Sequence, residues 1–328
     1  MKLNLFFIIT TFLFISCSDK GDPYYVVDKI RTPTAQVYSQ TSQTGQGCVT
    51  GVFDTNTWCQ QFPIRPAGTV NAASTGKVKL RFLALAPSGN PVTLTLTQLK
   101  IFDMSLVNGS SGDGARGINP STPATAISMN DFSFNLNTSL SATVQTIPMQ
   151  VQTIVFDLEP PTLNKLIHYA QQNKFFPGFV LFYEASTPNL SYVDHGYFTF
   201  YLLPDPTDTS SWATLNASLS SFVSSDVFAQ AFRVSYLNTP IQINNVSPAS
   251  GSTIAAEGNN NISAQLTYNP SAFSFSPVQW YVSSGTMDND RALSTSWNPN
   301  KDGAVSSLFV ARDLLGGVDY MLSNYTAQ

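Results

Sequence analysis

Cleaving a glycosidic bond takes two carboxyl groups at a suitable separation, one as acid and one as base or nucleophile. Asp157 and Glu159 stand two residues apart in an apolar, strand-like run, so both side chains point to one face. Glu184 and Asp194 flank the aromatic region that follows. One reading of the chain is therefore a glycan-active hydrolase with Asp157 and Glu159 or Glu184 as its catalytic residues. Against it, Glu159 directly precedes Pro160-Pro161, where a carboxylate ordinarily sits at a solvated strand end or helix start.

Other catalytic chemistries find less support. The run Gly109-Ser110-Ser111-Gly112 lacks the Gly-x-Ser-x-Gly spacing that forces a nucleophile elbow. His168 and His195 are the two histidines available as a base. His168 falls in a helical stretch beside Ile167 and Tyr169. A strand-end hydrogen bond accounts for His195 within Asp194-His195-Gly196. Asp288-Asn289-Asp290 offers clustered oxygens of the kind calcium takes, but the Gly and the distant Glu of a calcium loop are missing. It reads as a turn whose Asp and Asn bond their own backbone. Asp113-Gly114-Ala115-Arg116-Gly117 is another turn with too few ligands. No metal and no cofactor is expected.

The elements that would position these residues are strands. From about residue 38 to 237 the pattern is mainly period two: Val78, Leu80 and Phe82 alternate with Lys79 and Arg81, and Leu94 and Leu96 with Thr93, Thr95 and Thr97. Pro87-Ser88-Gly89-Asn90 between them predicts a hairpin. Further strands are expected at 132–136, 142–147 and 151–158. The aromatic runs 178–183 and 196–203 are expected as buried central strands. Two short helices are predicted: Leu163, Leu166, Ile167 and Ala170 share a helical face after Pro160-Pro161, and Trp212, Leu215, Leu219 and Phe222 do so after Asp205-Pro206. The Gly-, Ser- and Pro-rich stretch 108–126 reads as a long loop.

Charged residues make up 11% of the 328, against about a quarter in ordinary soluble domains, so Ser, Thr, Asn and Gln must cover the surface. A net charge of -4 without a basic stripe excludes nucleic acid as a partner. At the N-terminus, Lys2 is followed by an apolar run from Leu3 to Ile15, short for a bilayer span. It ends Leu13-Phe14-Ile15-Ser16-Cys17. That pattern resembles the lipobox of bacterial lipoproteins, which implies cleavage before Cys17 and a diacylglycerol on its sulfur. Residues 1–16 are then the signal peptide and 17–37 a lipidated tether. The acid Asp19 stands at the third mature position rather than the second, which favours the outer membrane. Two or three acyl chains hold a protein where one binds marginally.

The remaining cysteines, Cys48 and Cys59, bracket a short loop and are expected to form a disulfide in the oxidising envelope, worth about 2–3 kcal/mol. A metal site would need further ligands. Trp58, beside Cys59, is the best candidate for stacking on a sugar, followed by Tyr24 and Tyr25; the plainer reading of Trp58 is packing over the disulfide. The stretch Tyr24-Tyr25-Val26-Val27 could also add a strand to the first domain and shorten the tether.

From about residue 238 the chain resembles a bacterial immunoglobulin-like domain. The resemblance is carried by Val246-Ser247-Pro248, Gly251-Ser252, Gln279-Trp280-Tyr281 with Ser284-Gly285, Ser296-Trp297-Asn298-Pro299, and Asp313 with Gly316-Gly317. It implies an opening strand, a Ser-Pro turn, a buried Trp on a central strand and a spacer or ligand-presenting role without catalysis. Trp280 has no disulfide to pack against, which excludes the antibody-type core. The expected architecture is mainly β: a sandwich-like domain over 38–237 with two short helices, then an immunoglobulin-like sandwich over 238–328. The expected function is a lipid-anchored envelope protein, bound to membrane through its anchor, with a non-enzymatic binding, adhesion or structural role toward a glycan or protein ligand. A place as subunit of an envelope assembly is the further alternative.

Overall fold

The computed structural model describes residues 24–40, 47–60, 78–87, 90–103, 126–127, 134–137, 148–158, 177–188, 190–201, 240–268, 278–312 and 317–328. The leader with Cys17, Glu159, His168, the two expected helices and nearly all of the 108–126 loop lie outside these residues. Every described element is a strand.

The N-terminal unit contributes β1 (Arg31–Gln40), β2 (Cys48–Thr50), β3 (Thr57–Gln60), β4 (Val78–Pro87), β5 (Thr93–Asp103), β6 (Ala126–Ile127), β7 (Phe134–Asn137), β8 (Met149–Leu158), β9 (Pro177–Thr187) and β10 (Leu190–Tyr201). They form a six-stranded sheet of order β2-β3-β1-β4-β8-β7 and a four-stranded sheet of order β10-β9-β5-β6. Phe82 on β4 joins the two layers, its ring 5.4 Å from Tyr183 of β9 and 5.8 Å from Phe198 of β10. On β10, Gly196 lies opposite Tyr183. A Cβ at Gly196 would fall 2.2 Å from the Tyr183 hydroxyl, so glycine lets that ring cross the strand.

The expected hairpin at Pro87–Asn90 is not formed. β4 is already flanked by β1 and β8, so β5 has no free edge there and pairs with β9 in the other sheet. The corner is held from β8: Gln152 accepts from the Val92 amide at 2.9 Å and donates to the Asn90 carbonyl at 2.9 Å. Of the two aromatic runs, β9 is central as expected, whereas β10 stands at the end of its sheet among the described strands.

The C-terminal unit contributes β11 (Gln242–Ser247), β12 (Thr253–Ile254), β13 (Asn260–Thr267), β14 (Val278–Val282), β15 (Thr286–Met287), β16 (Ser294–Asn298), β17 (Gly303–Arg312) and β18 (Val318–Ala327). Its two sheets have orders β11-β13-β16-β15 and β12-β18-β17-β14. Pairing is antiparallel except for β12 beside β18. This is the immunoglobulin-like arrangement, with a short parallel strand completing the second sheet. Trp280 sits on β14, fully buried, with its ring 4.5 Å from Phe309 and its indole N–H on the Ala292 carbonyl at 2.8 Å. Trp297, equally buried, donates to the Ser284 carbonyl.

The two units share a second apolar layer. Along β17, Val305, Phe309 and Ala311 face the sandwich interior, while Leu308 and Val310 face the N-terminal unit. Tyr281 and Val318 join that outer face and meet Val27, Leu83, Leu85 and Met149. β4 follows the same rule: Phe82 turns toward β9 and β10, and Leu83 and Leu85 toward the C-terminal unit. Strands buried on both faces need apolar residues at consecutive positions, which is why β14 and the middle of β17 are so rich in them.

Candidate functional site

The residues singled out for chemistry separate into three places. The first is the β2–β3 hairpin. Cys48 and Cys59 are direct cross-strand partners and form the expected disulfide. Gly47, just before β2, has φ +78 and would place a Cβ 2.8 Å from Pro240. Glycine thus lets the chain entering the C-terminal unit press against the hairpin.

Trp58 is a packing residue, as the plainer reading held, but not over the disulfide. It is fully buried, and because side chains alternate along β3 it turns to the face opposite Cys59. Phe53 packs edge-on at 5.9 Å, the Lys79 ammonium lies 4.8 Å from the ring centroid, and the indole N–H donates to Asp54 at 3.0 Å. Asp54 also caps the Asn56 amide. The indole hydrogen bond, helped by Asn56 and Lys79, holds the Asp54 carboxyl below the usual carboxylate range. Ring, cation and carboxylate satisfy one another, so no face remains for a ligand.

The second place holds the carboxylates of the hydrolase reading. Asp157 on β8 lies opposite Lys79 on β4 and accepts from its ammonium at 2.5 Å. Glu184 belongs to the other sheet, on β9, where its half-exposed carboxylate lies 3.5 Å from Nδ1 of His195 on β10. The third carboxylate, Glu159, lies outside the described residues. Asp157 and Glu184 are thus on different sheets with different partners.

The third place is the junction of the two units, and sequence reasoning missed it. Residues 24–27, read above as tether or as a strand of the first domain, pair instead with the C-terminal unit. Val26 bridges Val282 in parallel; Val27 N–H donates to the Val282 carbonyl at 2.9 Å, and Val282 N–H to the Tyr25 carbonyl at 2.8 Å. The Tyr25 hydroxyl accepts from the Met287 amide, so Tyr25 is a packing residue. Tyr24 is half-exposed, edge-on to Tyr281 at 5.9 Å, with the Arg31 guanidinium 4.8 Å from its centroid.

Around this segment the polar groups bridge the units. Gln60 donates to the Val318 carbonyl at 2.9 Å and accepts from the Val318 amide at 3.3 Å, as a neighbouring strand would. Gln36 donates to the same carbonyl at 3.0 Å. Arg81 donates to the Tyr320 hydroxyl at 3.0 Å, and Arg312 to the Pro33 carbonyl. Asp194 accepts from the Thr32 amide at 3.0 Å; burial pushes its carboxyl up, against the opposing pull of Thr32 and Arg31. Burial likewise pushes up Asp319, which accepts from the Ile243 and Tyr320 amides, and the hydroxyls of Tyr183 and Tyr281.

At Asp288-Asn289-Asp290, Asn289 caps the Arg291 backbone amide, as a turn residue does, and Asp290 accepts from the side-chain amide of Gln279. Among the described residues no three His, Cys, Asp or Glu side chains converge as metal ligands would.

No protein-family model matches the chain, and no curated protein matches it by sequence. Among solved structures, the tandem Ig repeats of Dlar are similar at 8% identity and a TM-score of 0.23, covering 90% of this chain and 99% of that one. The fibronectin(III)-like modules of Clostridium thermocellum CbhA give 11% identity and a TM-score of 0.22, covering 76% and 85%. The Yersinia pseudotuberculosis adhesin InvE gives 11% and 0.19, covering 80% and 56%. At these scores the likeness carries no argument about function.

Proposed function

We propose that this chain is a lipid-anchored protein of the bacterial envelope, acylated at Cys17 and held at the outer membrane, with a non-enzymatic role in binding, adhesion or structural support. One observation carries the non-enzymatic part. The two sandwiches share an apolar seam that begins at the N-terminal segment, so the chain presents a single body built of sheets stacked face on face. Such a body suits presentation of a surface to a glycan or protein ligand. Of the carboxylates of the hydrolase reading, Asp157 is paired with Lys79 and Glu184 lies beside His195. The apolar leader ending Ile15-Ser16-Cys17 supports the anchor.

Two measurements test the reading. Cells fed an alkyne fatty acid should label the natural protein and leave the Cys17→Ser variant unlabelled; equal labelling of both would remove the anchor. Purified protein offered peptidoglycan and oligosaccharides should retain a ligand without releasing product. Turnover would return the hydrolase reading to the front.

A further inference from the structure

Tyr24, Tyr192 and Val193 are three of the six large apolar side chains exposed among the described residues, and one stretch of chain reaches two of the rings, Lys29 over Tyr192 and Arg31 over Tyr24. Their exposure has a structural cause. Between Leu190 and Asp194, β10 takes four steps while β9, from Thr187 to Ala185, takes two. The surplus residues bulge, so Ser191, Tyr192 and Val193 are exposed in succession instead of alternating in and out. Lys29 stands over Tyr192, its ammonium 5.2 Å from the ring centroid. The bond from the Thr32 amide to Asp194 ties this bulge to the N-terminal segment that carries Tyr24.

Position along the chain says what faces this patch. Seven residue steps separate Cys17 from Tyr24, a reach of about 25 Å when fully extended. Tyr24 cannot stray further than that from an acyl chain on Cys17, because residues 25–27 are pinned to Val282. Tyrosine rings beside a lysine are the side chains favoured at a membrane–water boundary, ring toward the acyl region and ammonium toward phosphate.

We propose that the Tyr24–Tyr192–Val193 patch, with Lys29, rests on the phospholipid surface and sets which face of the body turns away from the membrane. The proposal rests on the anchored reading of Cys17. The patch adds orientation to an anchor that by itself supplies only attachment.

The test uses acylated full-length mature protein in vesicles of phosphatidylethanolamine and phosphatidylglycerol. With Cys17 acylated and Cys48 bonded to Cys59, Val193→Cys provides a single free thiol for an environment-sensitive fluorophore. Leu293→Cys, on the C-terminal unit and also exposed, is the control. The label at 193 should shift to the blue and be quenched by brominated lipid, while that at 293 stays aqueous. An aqueous label at 193 in vesicle-bound protein overturns the patch and leaves the anchor standing. A label at 193 already shielded without vesicles, in a sample with the mass of a dimer, makes the occupant a second copy and also overturns it. To separate the patch from the anchor, the Cys17→Ser protein is titrated with the same vesicles. Tyr192→Ser with Val193→Ser should weaken its partition about tenfold; an unchanged partition overturns the proposal whatever becomes of Cys17.

Discussion

The sheet β12-β18-β17-β14 has two buried faces, and they are built differently. Toward β11-β13-β16-β15 it presents Trp280, Phe309 and Tyr325, large rings closed off with little polar content. Toward the N-terminal unit it presents one ring, Tyr281, among the smaller Leu308, Val310 and Val318, and the polar groups gather around them: Gln36 and Gln60 on the Val318 backbone, Arg81 on Tyr320, Arg312 on Pro33. The first face is a core. The second is an interface with the apolar centre of a core and the directed hydrogen bonds of a binding surface, which fix orientation as well as add stability.

Substitutions should break the two faces in different ways. Trp280→Ala should cost the most, about 4 kcal/mol in urea unfolding, because it empties the space beside Phe309 and orphans the Ala292 carbonyl. Its loss of hydrogen-exchange protection should be greatest in β13 and β16. Leu308→Ala should cost about 3 kcal/mol, with protection falling in β4 and β8 as well as in β17. If β4 and β8 keep their protection, the seam is not a shared core. Gln60→Ala should cost about 2 kcal/mol, since it leaves the buried Val318 amide without an acceptor. Gln60→Glu would set a buried carboxylate against the Val318 carbonyl and should cost at least as much as Gln60→Ala.

The smallest effect is expected from Asp194, as a change of slope with pH. Burial raises its carboxyl in the folded chain, so the folded state holds its proton to higher pH than the unfolded chain does. Its burial penalty is absent below the ordinary carboxylate range and complete above the raised value. Stability should therefore fall as pH rises through that window. Asp194→Asn keeps an acceptor for Thr32 and should flatten this part of the pH profile, while Asp319, raised by the same cause, keeps its own part. An unchanged profile would mean Asp194 is better solvated than the junction geometry indicates.

What was legible in the sequence was local. Cys48 and Cys59 stand eleven positions apart, and the Ser-Pro turn and the two tryptophans of the C-terminal unit announce a sandwich within short windows. What misled was also local. Pro87-Ser88-Gly89-Asn90 has hairpin chemistry, yet turn residues bend a chain without choosing which sheet receives it. Trp58 beside a cysteine suggested packing over the disulfide, or else a sugar-stacking ring, but the buried ring turns instead to Lys79, Phe53 and Asp54 through contacts the spacing does not encode. The seam was harder still, because Gln60 and Val318 stand 258 residues apart. A signal did exist. Leu308-Phe309-Val310-Ala311 runs apolar without alternation, which in an antiparallel sheet means a layer on each side.

The pairing of residues 25–27 with Val282 also has a consequence in time. A chain delivered N-terminus first presents Val26 early, and its partner follows 256 residues later, the difference between 282 and 26. At ordinary synthesis rates of about 5–20 residues per second, that interval is on the order of tens of seconds. Until then β14 does not exist, and the segment at residues 25–27 waits for nearly the last part of the chain to arrive.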